Sequence, residues 1–205
     1  VPDKALKLAD KFWPGPLTMI LKKSDIVPDS ITGGLGTVAI RMPSHKVAAE
    51  LIRTSGVYIA APSANTSGKP SPTRASHVIK DLSGKIDMII EDDTVDIGVE
   101  STIIDLSEEV PTILRPGYIT KEMFEEVIGG VRIDPAITEG VKSGVVPKAP
   151  GMKYRHYAPK ADLAIVEGPE EAVVKKINEL AAEAKAHGEQ VGIIATDETK
   201  DRYVS

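Results

Sequence analysis

The chain has 205 residues, of which 41% are hydrophobic and 27% charged, and these proportions are those of an ordinary globular protein. Its net charge of −5 argues against an extended basic surface that coats nucleic acid non-specifically. The absence of cysteine excludes disulfides, thiolate catalysis and Cys-ligated zinc in this chain.

The first 128 residues are predicted to mix short strands with helices. The predicted strands are residues 18–21, 37–41, 57–61, 88–91, 101–106 and 112–114. An amphipathic pattern opens the chain at Leu6, Leu8 and Ala9. Three further helices are predicted to begin at the N-caps Ser44, Thr73 and Thr120. Because strands and helices do not alternate strictly, we expect an α/β fold with a mixed, twisted sheet.

The last third of the chain is predicted to be a linker followed by the start of a second domain. Periodicity disappears between residues 129 and 160, a segment that carries four prolines. A strand at 162–166, a long helix from Pro169 to Gly188 and a strand at 191–195 then form a predicted βαβ unit. The predicted domains are therefore residues 1–128, a linker or lid at 129–160, and the start of a Rossmann-like domain at 161–205.

A loop rich in proline and small hydroxyl residues follows the predicted strand at 57–61. Its sequence, APSANTSGKPSPT, runs from Ala61 to Thr73. Small side chains leave backbone N–H groups accessible, and the prolines hold the segment extended. Such a loop suits a polyanion such as a nucleotide phosphate, although an ordinary surface loop has the same composition.

Five segments occur in an order that identifies a family. They are KFWPGPLT at 11–18, TVAIRMP at 37–43, APSANTSG at 61–68, VESTIID at 99–105 and LRPG at 114–117. Together they resemble the YrdC-like family of threonylcarbamoyl-adenylate synthases. The stretch PGMKYRHYAP at 150–159, with a βαβ unit after it, resembles the two-domain branch of that family.

The resemblance implies an ATP-consuming enzyme, a nucleotidyltransferase. It would condense L-threonine, bicarbonate and ATP into threonylcarbamoyl-AMP and pyrophosphate, with Mg²⁺ arriving on ATP. A separate transferase, with tRNA as the final acceptor, would then use the adenylate to modify the adenosine beside the anticodon. No protein metal site is expected, and no membrane span, since no apolar run reaches about 20 residues. A cytoplasmic location follows as an expectation.

The resemblance also assigns site residues in this sequence, with no catalytic residue among them. The expected ATP contacts are Thr37, Ser63, Asn65, Ser71, Arg115, Tyr154 and Tyr157. The expected threonine contacts are Arg41, Ala61 and Ser101. Guanidinium groups suit carboxylates and phosphates because they bind them bidentately, whereas a surface ion pair is the alternative for either arginine. Turn-forming hydrogen bonds are the alternative for the serines and the asparagine.

The linker contributes the two tyrosines, and the resemblance implies that it folds over the active site. A lid would exclude water from a labile mixed anhydride. Tyr154 is the preferred ATP contact and Tyr157 its alternate, while simple packing of these rings on the first domain is the other interpretation.

Two further expectations concern what the resemblance leaves open. The family has a basic N-terminal segment that grips the nucleotide phosphates, and nothing before Val1 matches it, so the 205-residue chain alone is expected to be inactive or poorly folded.

The alternatives to the synthase are an RNA-binding module without catalysis and a carbamoyl-adenylate step in hydrogenase maturation. Net negative charge and few aromatic residues disfavour the first, and dependence on threonine would separate the second.

Overall fold

The computed structural model describes residues 1–92, 95–139 and 161–204, with only the backbone at 138 and 139. It divides the chain into two compact units, Val1–Pro159 and Lys160–Ser205. The helices are α1 (Asp3–Phe12), α2 (Asp29–Thr32), α3 (Lys46–Ser55), α4 (Ala75–Leu82), α5 (Lys121–Ile128), α6 (Pro135–Glu139) and α7 (Glu170–Ala186), with a 3₁₀ turn at Lys200–Arg202. The strands are β1 (Leu17–Lys22), β2 (Thr37–Arg41), β3 (Thr102–Asp105), β4 (Thr112–Arg115) and β5 (Arg132–Ile133).

The five strands form one mixed sheet in the order β2-β1-β3-β4-β5. β1 pairs antiparallel with β2 and parallel with β3, while β4 runs antiparallel to β3 and parallel to β5. This arrangement confirms the predicted mixed α/β sheet. It also brings the starts of β1 and β3 to the same end of the sheet as the ends of β2 and β4.

The main hydrophobic core lies between one face of the sheet and helices α1 and α5. Its buried members are Ala5, Leu8, Leu17, Met19, Leu21, Ile104, Leu106, Ile113, Ile119, Phe124 and Val131. Alternation along β1 sends Leu17, Met19 and Leu21 into this core. The rings of Phe12 and Phe124 meet edge to face, with their centroids 5.8 Å apart.

The opposite face of the sheet carries a second buried cluster made of Ile20, Ile103 and Leu114. Because side chains alternate along a strand, Thr18 lies on the same face as Ile20, and Ser101 on the same face as Ile103. Thr18 and Ser101 therefore lie on the face that α1 and α5 do not cover.

Two predicted strands of the first unit are wrong. Residues 57–61 and 88–91 belong to no strand, and Val57, Tyr58 and Met88 are largely exposed. A strand exists only where a neighbour completes its hydrogen-bonded ladder, and neither segment pairs with any strand in the part of the chain that the structure describes. Their apolar, β-branched composition predicted strands, but composition does not provide the neighbouring strand with which they would pair.

Two of the three predicted helix caps also differ from the structure. The N-caps of α3 and α4 are His45 and Arg74, not Ser44 and Thr73. The backbone N–H of Thr73 donates to His77 Nδ1 at 3.4 Å, so this residue lies just outside the helix. The third prediction is confirmed: Thr120 is the N-cap of α5, and its hydroxyl accepts from the backbone N–H of Met123.

The predicted linker at 129–160 begins with regular structure. β5 pairs with β4, and α6 follows it directly. A two-residue strand has no detectable period, which is why the sequence pattern did not indicate it. The boundary at residue 128 stays a prediction, and residues 140–160 lie outside the described residues.

The second unit contains the predicted long helix but not the predicted strands. α7 begins after Pro169 and is capped by His187, with Gly188 at φ 81° directly after it. Residues 162–166 and 191–195 belong to no strand, because neither segment pairs with a strand among the described residues of this unit. No described helix combines the length and the apolar content that a membrane span requires.

A candidate anion site at one end of the sheet

Four of the five sequence motifs meet at one end of the sheet. The backbone N–H of Gly15 donates to the carbonyl of Met42 at 2.9 Å, which joins WPGPLT to TVAIRMP. The N–H of Thr102 donates to the carbonyl of Pro16 at 3.0 Å, which joins WPGPLT to VESTIID. β3 and β4 pair directly and bring LRPG beside VESTIID. The motifs are therefore parts of one site, although the first and last are about 100 residues apart in the sequence.

The hydroxyl of Ser101 is the centre of this site. Arg41 Nη1 donates to Ser101 Oγ at 3.1 Å, and Arg115 Nη2 donates to the same oxygen at 3.0 Å. Arg115 Nε also donates to the backbone carbonyl of Ser101 at 3.0 Å. Thr18 Oγ1 lies 3.0 Å from Ser101 Oγ. Ser101 is only 5% exposed, Thr18 and Arg115 are half-buried, and Arg41 is exposed, so the cluster extends from the protein interior to its surface.

Two guanidinium groups thus share one neutral hydroxyl. A guanidinium is a cation that donates hydrogen bonds and cannot accept them. Arg41 forms no ion pair within residues 1–92, 95–139 and 161–204. Two adjacent cations beside a partly buried surface favour an anion, and their planar forks match the oxygens of a carboxylate or phosphate. The site can hold and orient such a group.

The turn after β4 packs against β3 and holds the two strands of the site together. Thr102 Oγ1 donates to the carbonyl of Ile119 at 2.9 Å and accepts from its N–H at 3.0 Å, and both residues are buried. Gly117 lies against β3: a Cβ there would be 2.4 Å from the carbonyl oxygen of Glu100 and 2.7 Å from the nitrogen of Thr102. The glycine of LRPG therefore lets the chain that carries Arg115 press against the strand that carries Ser101.

The loop at 61–73 is held by its own hydrogen bonds and by α4. Asn65 Nδ2 donates to the carbonyls of Thr66 and Lys69, at 3.0 and 3.1 Å, and closes the turn between them. The N–H of Thr66 and the ammonium of Lys69 donate to the two carboxylate oxygens of Asp81, at 3.2 and 2.5 Å. Asp81 on α4 therefore anchors this turn.

This anchor should release its turn in acid. The hydrogen bond from Lys69 and, after it, the backbone N–H of Thr66 lower the pKa of Asp81 from 3.8. Because folding lowers the pKa of Asp81, the tether contributes its full stabilisation at pH values above the unfolded pKa of 3.8. This stabilisation is lost as the pH falls through the folded pKa. We expect the Thr66 amide proton resonance to titrate with a midpoint below pH 3.8, and Asp81→Asn to abolish that titration. A midpoint above 3.8 would contradict the anchor.

The structure brings three of the ten predicted site residues together, namely Arg41, Ser101 and Arg115. Thr37 lies on the same face of β2 as Arg41 but at its other end, about 13 Å along the strand. Ala61, Ser63 and Ser71 lie in the loop at 61–73, with Asn65. Alternation of Ser63 and Asn65 with small neighbours predicts that both side chains face one side of an extended segment, but the loop turns at 64–69. Tyr154 and Tyr157 lie outside the described residues. The individual roles stay predictions.

Sequence reasoning missed Thr18. The residue stood in the motif KFWPGPLT, where it was interpreted only as the start of a strand. A hydroxyl among the apolar residues of β1 was the available signal, but its contact with Ser101 spans 83 residues and is visible only in the fold.

The fold and the site together describe an α/β protein with two arginines on one serine hydroxyl, a cluster that can bind a carboxylate or phosphate. Residues 1–117 match the family described as "Telomere recombination", which groups the Sua5, YciO and YrdC proteins, and residues 119–205 match the family described as "Threonylcarbamoyl-AMP synthase, C-terminal domain". The chain belongs to the Sua5/YciO/YrdC family, and the second match places it in the two-domain branch. The predicted resemblance is confirmed.

Relatives with experimental or curated descriptions support this assignment. The chain is 56% identical over 196 residues to threonylcarbamoyl-AMP synthase of Pyrococcus abyssi, covering 96% of this chain and 57% of that protein. It is 49% identical to the Bacillus subtilis enzyme of the same name, covering 98% and 57%. The crystal structure of P. abyssi Sua5 complexed with L-threonine superposes with a TM-score of 0.88 and 54% identity, covering 96% and 58%. The chain thus spans somewhat more than half the length of these relatives.

A more distant relative supports the fold alone. The crystal structure of E. coli YciO superposes with a TM-score of 0.50 and 24% identity, over 60% of this chain and 61% of that one. The expectation of a YrdC-like sheet is therefore confirmed.

Proposed function

We propose that the chain is part of an enzyme that makes threonylcarbamoyl-AMP and pyrophosphate from L-threonine, bicarbonate and ATP. The observation that carries the proposal is the pair of guanidiniums on Ser101 Oγ, where Arg41 and Arg115 meet at 3.1 and 3.0 Å. Two adjacent guanidinium groups suit the carboxylate of an amino acid. The relative crystallised with L-threonine, at 54% identity, supports threonine as that amino acid.

The proposed reaction is an adenylation of a carbamate. The threonine nitrogen first attacks the carbon of bicarbonate: the N–C bond forms, the C–OH bond breaks, and the hydroxyl leaves as water with a proton from the nitrogen, which gives the carbamate. A carbamate oxygen then attacks the α-phosphorus of ATP, the bond between the α-phosphorus and the bridging oxygen breaks, and pyrophosphate leaves. The protein's part is positioning and electrostatic stabilisation. Arg41 would hold the threonine carboxylate, and Arg115 would face the nucleotide from the other side of Ser101.

The nucleotide would extend from Arg115 along the loop at 61–73. In this proposal Thr37, Ser63, Asn65 and Ser71 contact ATP, as does Tyr154, with Tyr157 as its alternate. The anchoring of the loop by Asp81 supports a preformed platform, because a held loop loses less conformational entropy when a ligand binds.

We further propose that Mg²⁺ enters bound to the triphosphate. Hard phosphate oxygens are the ligands it prefers, and it commonly keeps water in its shell. Within the described ranges there is no group of three or more His, Asp or Glu side chains that could hold a metal ion. The product would pass to a transferase that modifies tRNA.

The proposal predicts pyrophosphate release that depends on every substrate. We expect release from Mg-ATP only with both L-threonine and bicarbonate, together with threonylcarbamoyl-AMP detected by mass spectrometry. Chelation of Mg²⁺ should abolish it. The assay uses this chain and a version extended to the full length of its relatives, of which this chain spans 57%.

Paired arginine variants complete this test. Arg41→Gln should weaken threonine binding and raise the KM for threonine, whereas Arg53→Gln should leave activity unchanged, since Arg53 is exposed and bonded to Glu50 on α3. Release without threonine in the extended protein would contradict the proposal. Tight, steeply salt-dependent tRNA binding without ATP turnover would instead favour the RNA-binding alternative.

A further inference from the structure

We propose that Thr18 is a positioning residue that sets the direction of the Ser101 hydroxyl and thereby holds both arginines in the site. The identity of the substrate in this inference rests on the proposed function. The hydrogen-bonding part does not, because it concerns only the four side chains Thr18, Arg41, Ser101 and Arg115.

The hydrogen-bond inventory of Ser101 determines the direction of each contact. A serine hydroxyl has one proton to donate and two lone pairs that accept, whereas a guanidinium only donates. Arg41 Nη1 and Arg115 Nη2 therefore occupy the two lone pairs, at 3.1 and 3.0 Å. The remaining proton of Ser101 points to Thr18 Oγ1 at 3.0 Å, so Thr18 is the acceptor.

The fold holds Thr18 rigidly in this position. The residue lies opposite Arg41 in the β1–β2 ladder, and such cross-strand neighbours project from the same face of a sheet. The preceding residue, Leu17, is fully buried and pairs with Thr102, so the backbone of β1 cannot shift alone. A β-branched side chain also has few χ1 rotamers, which limits where its hydroxyl can lie.

Loss of the Thr18 hydroxyl would disturb the arginines through Ser101. The Ser101 proton would lose its acceptor in a site where Ser101 is only 5% exposed to water. The Ser101 hydroxyl would then rotate in search of another acceptor, since buried donors rarely stay unpaired. This rotation would move the lone pairs of Oγ and displace one guanidinium. Arg115 keeps its second bond, from Nε to the backbone carbonyl of Ser101. The guanidinium of Arg41 has Ser101 Oγ as its only hydrogen-bond partner among the described residues, so it is the group that loosens.

The test compares Thr18→Val, which removes the hydroxyl and keeps the shape, with Thr18→Ser, which keeps the hydroxyl. The first readout is the rotation rate about the Nε–Cζ bond of each arginine, measured by ¹⁵N side-chain NMR on the full chain without substrate. We expect Thr18→Val to speed rotation of Arg41 by about threefold or more, where threefold is near the lower end of the effect of losing one hydrogen bond. Arg115 should change less, and Thr18→Ser should resemble the wild type.

The second readout is steady-state kinetics in the extended protein. Thr18→Val should raise the KM for threonine by about tenfold, the effect of one charge-assisted hydrogen bond, with kcat and the KM for ATP within about twofold. Thr112→Val is the matched control, because Thr112 is a half-buried strand threonine whose hydroxyl donates only to its own turn at Val110. It should change neither readout.

Each outcome supports or overturns the inference. Unchanged Arg41 rotation in Thr18→Val, or equal effects of Thr18→Val and Thr18→Ser, would overturn it, because the hydroxyl would then not be the cause. Faster Arg41 rotation without threonine-dependent pyrophosphate release in the wild type would support the positioning role and refute the proposed function. If Thr18→Val does not fold, Thr18→Ala replaces it in the same comparison with Thr18→Ser.

Discussion

Gly117→Ala is expected to destabilise the first unit by about 3 kcal/mol, near the upper end of the usual cost of inserting a methyl group into a packed site. The new Cβ would lie 2.4 Å from the carbonyl oxygen of Glu100 and 2.7 and 2.9 Å from the nitrogen and Oγ1 of Thr102. Two of these atoms are backbone, and Thr102 is fully buried in β3, so no side chain can swing away to make room. The chain that carries Arg115 would have to move.

Thermal unfolding measures this effect directly. For a domain of this size, a loss of about 3 kcal/mol lowers the Tm by roughly 6–12 °C. ATP binding should weaken as well, because displacement of the LRPG turn pulls Arg115, the cation proposed for ATP, away from Ser101. Gly130→Ala is the control: a Cβ at Gly130 has no heavy atom within 4 Å, so its Tm should stay close to that of the wild type. Equal Tm values for the two variants would show that the LRPG turn relaxes without cost.

Ser101→Ala is expected to raise the KM for threonine by about tenfold or more while leaving the KM for ATP within about threefold. The substitution removes the oxygen that both guanidiniums share. Arg115 retains its bond from Nε to the backbone carbonyl of residue 101, so the cation proposed for ATP stays in place. The guanidinium of Arg41 loses its only hydrogen-bond partner among the described residues, so the group proposed for the threonine carboxylate becomes disordered.

Separate determination of the two KM values, with kcat, tests the division of roles between the arginines. Ser107→Ala offers a control of the same chemistry, because Ser107 is also a buried serine, but its hydroxyl donates to Asp105 at the far end of β3. It should leave the KM for threonine unchanged. Equal rises in both KM values for Ser101→Ala would show that Ser101 supports the whole site and not the threonine side.

The elements that sequence pattern predicted well are those whose cause is local. The alternation in β1 and β2 matches the strands found, and Thr120 caps α5 through its own hydroxyl. The segments at 57–61 and 88–91 had similar apolar composition, yet they form no strand. Whether an apolar stretch becomes a strand depends on a partner elsewhere in the chain, and composition carries no information about that partner.

The sequence by itself determined the family, because five motifs in one order are specific even when each alone is not. It also indicated Arg41, Ser101 and Arg115 as site residues through that resemblance. Only the tertiary structure decided that these three share one oxygen, that Thr18 completes the group, and that Gly117 must lack a side chain. The contacts of Ser101 with Thr18 and Arg41 span 83 and 60 residues. Contacts of that range depend on strand order and register, which a local pattern does not encode.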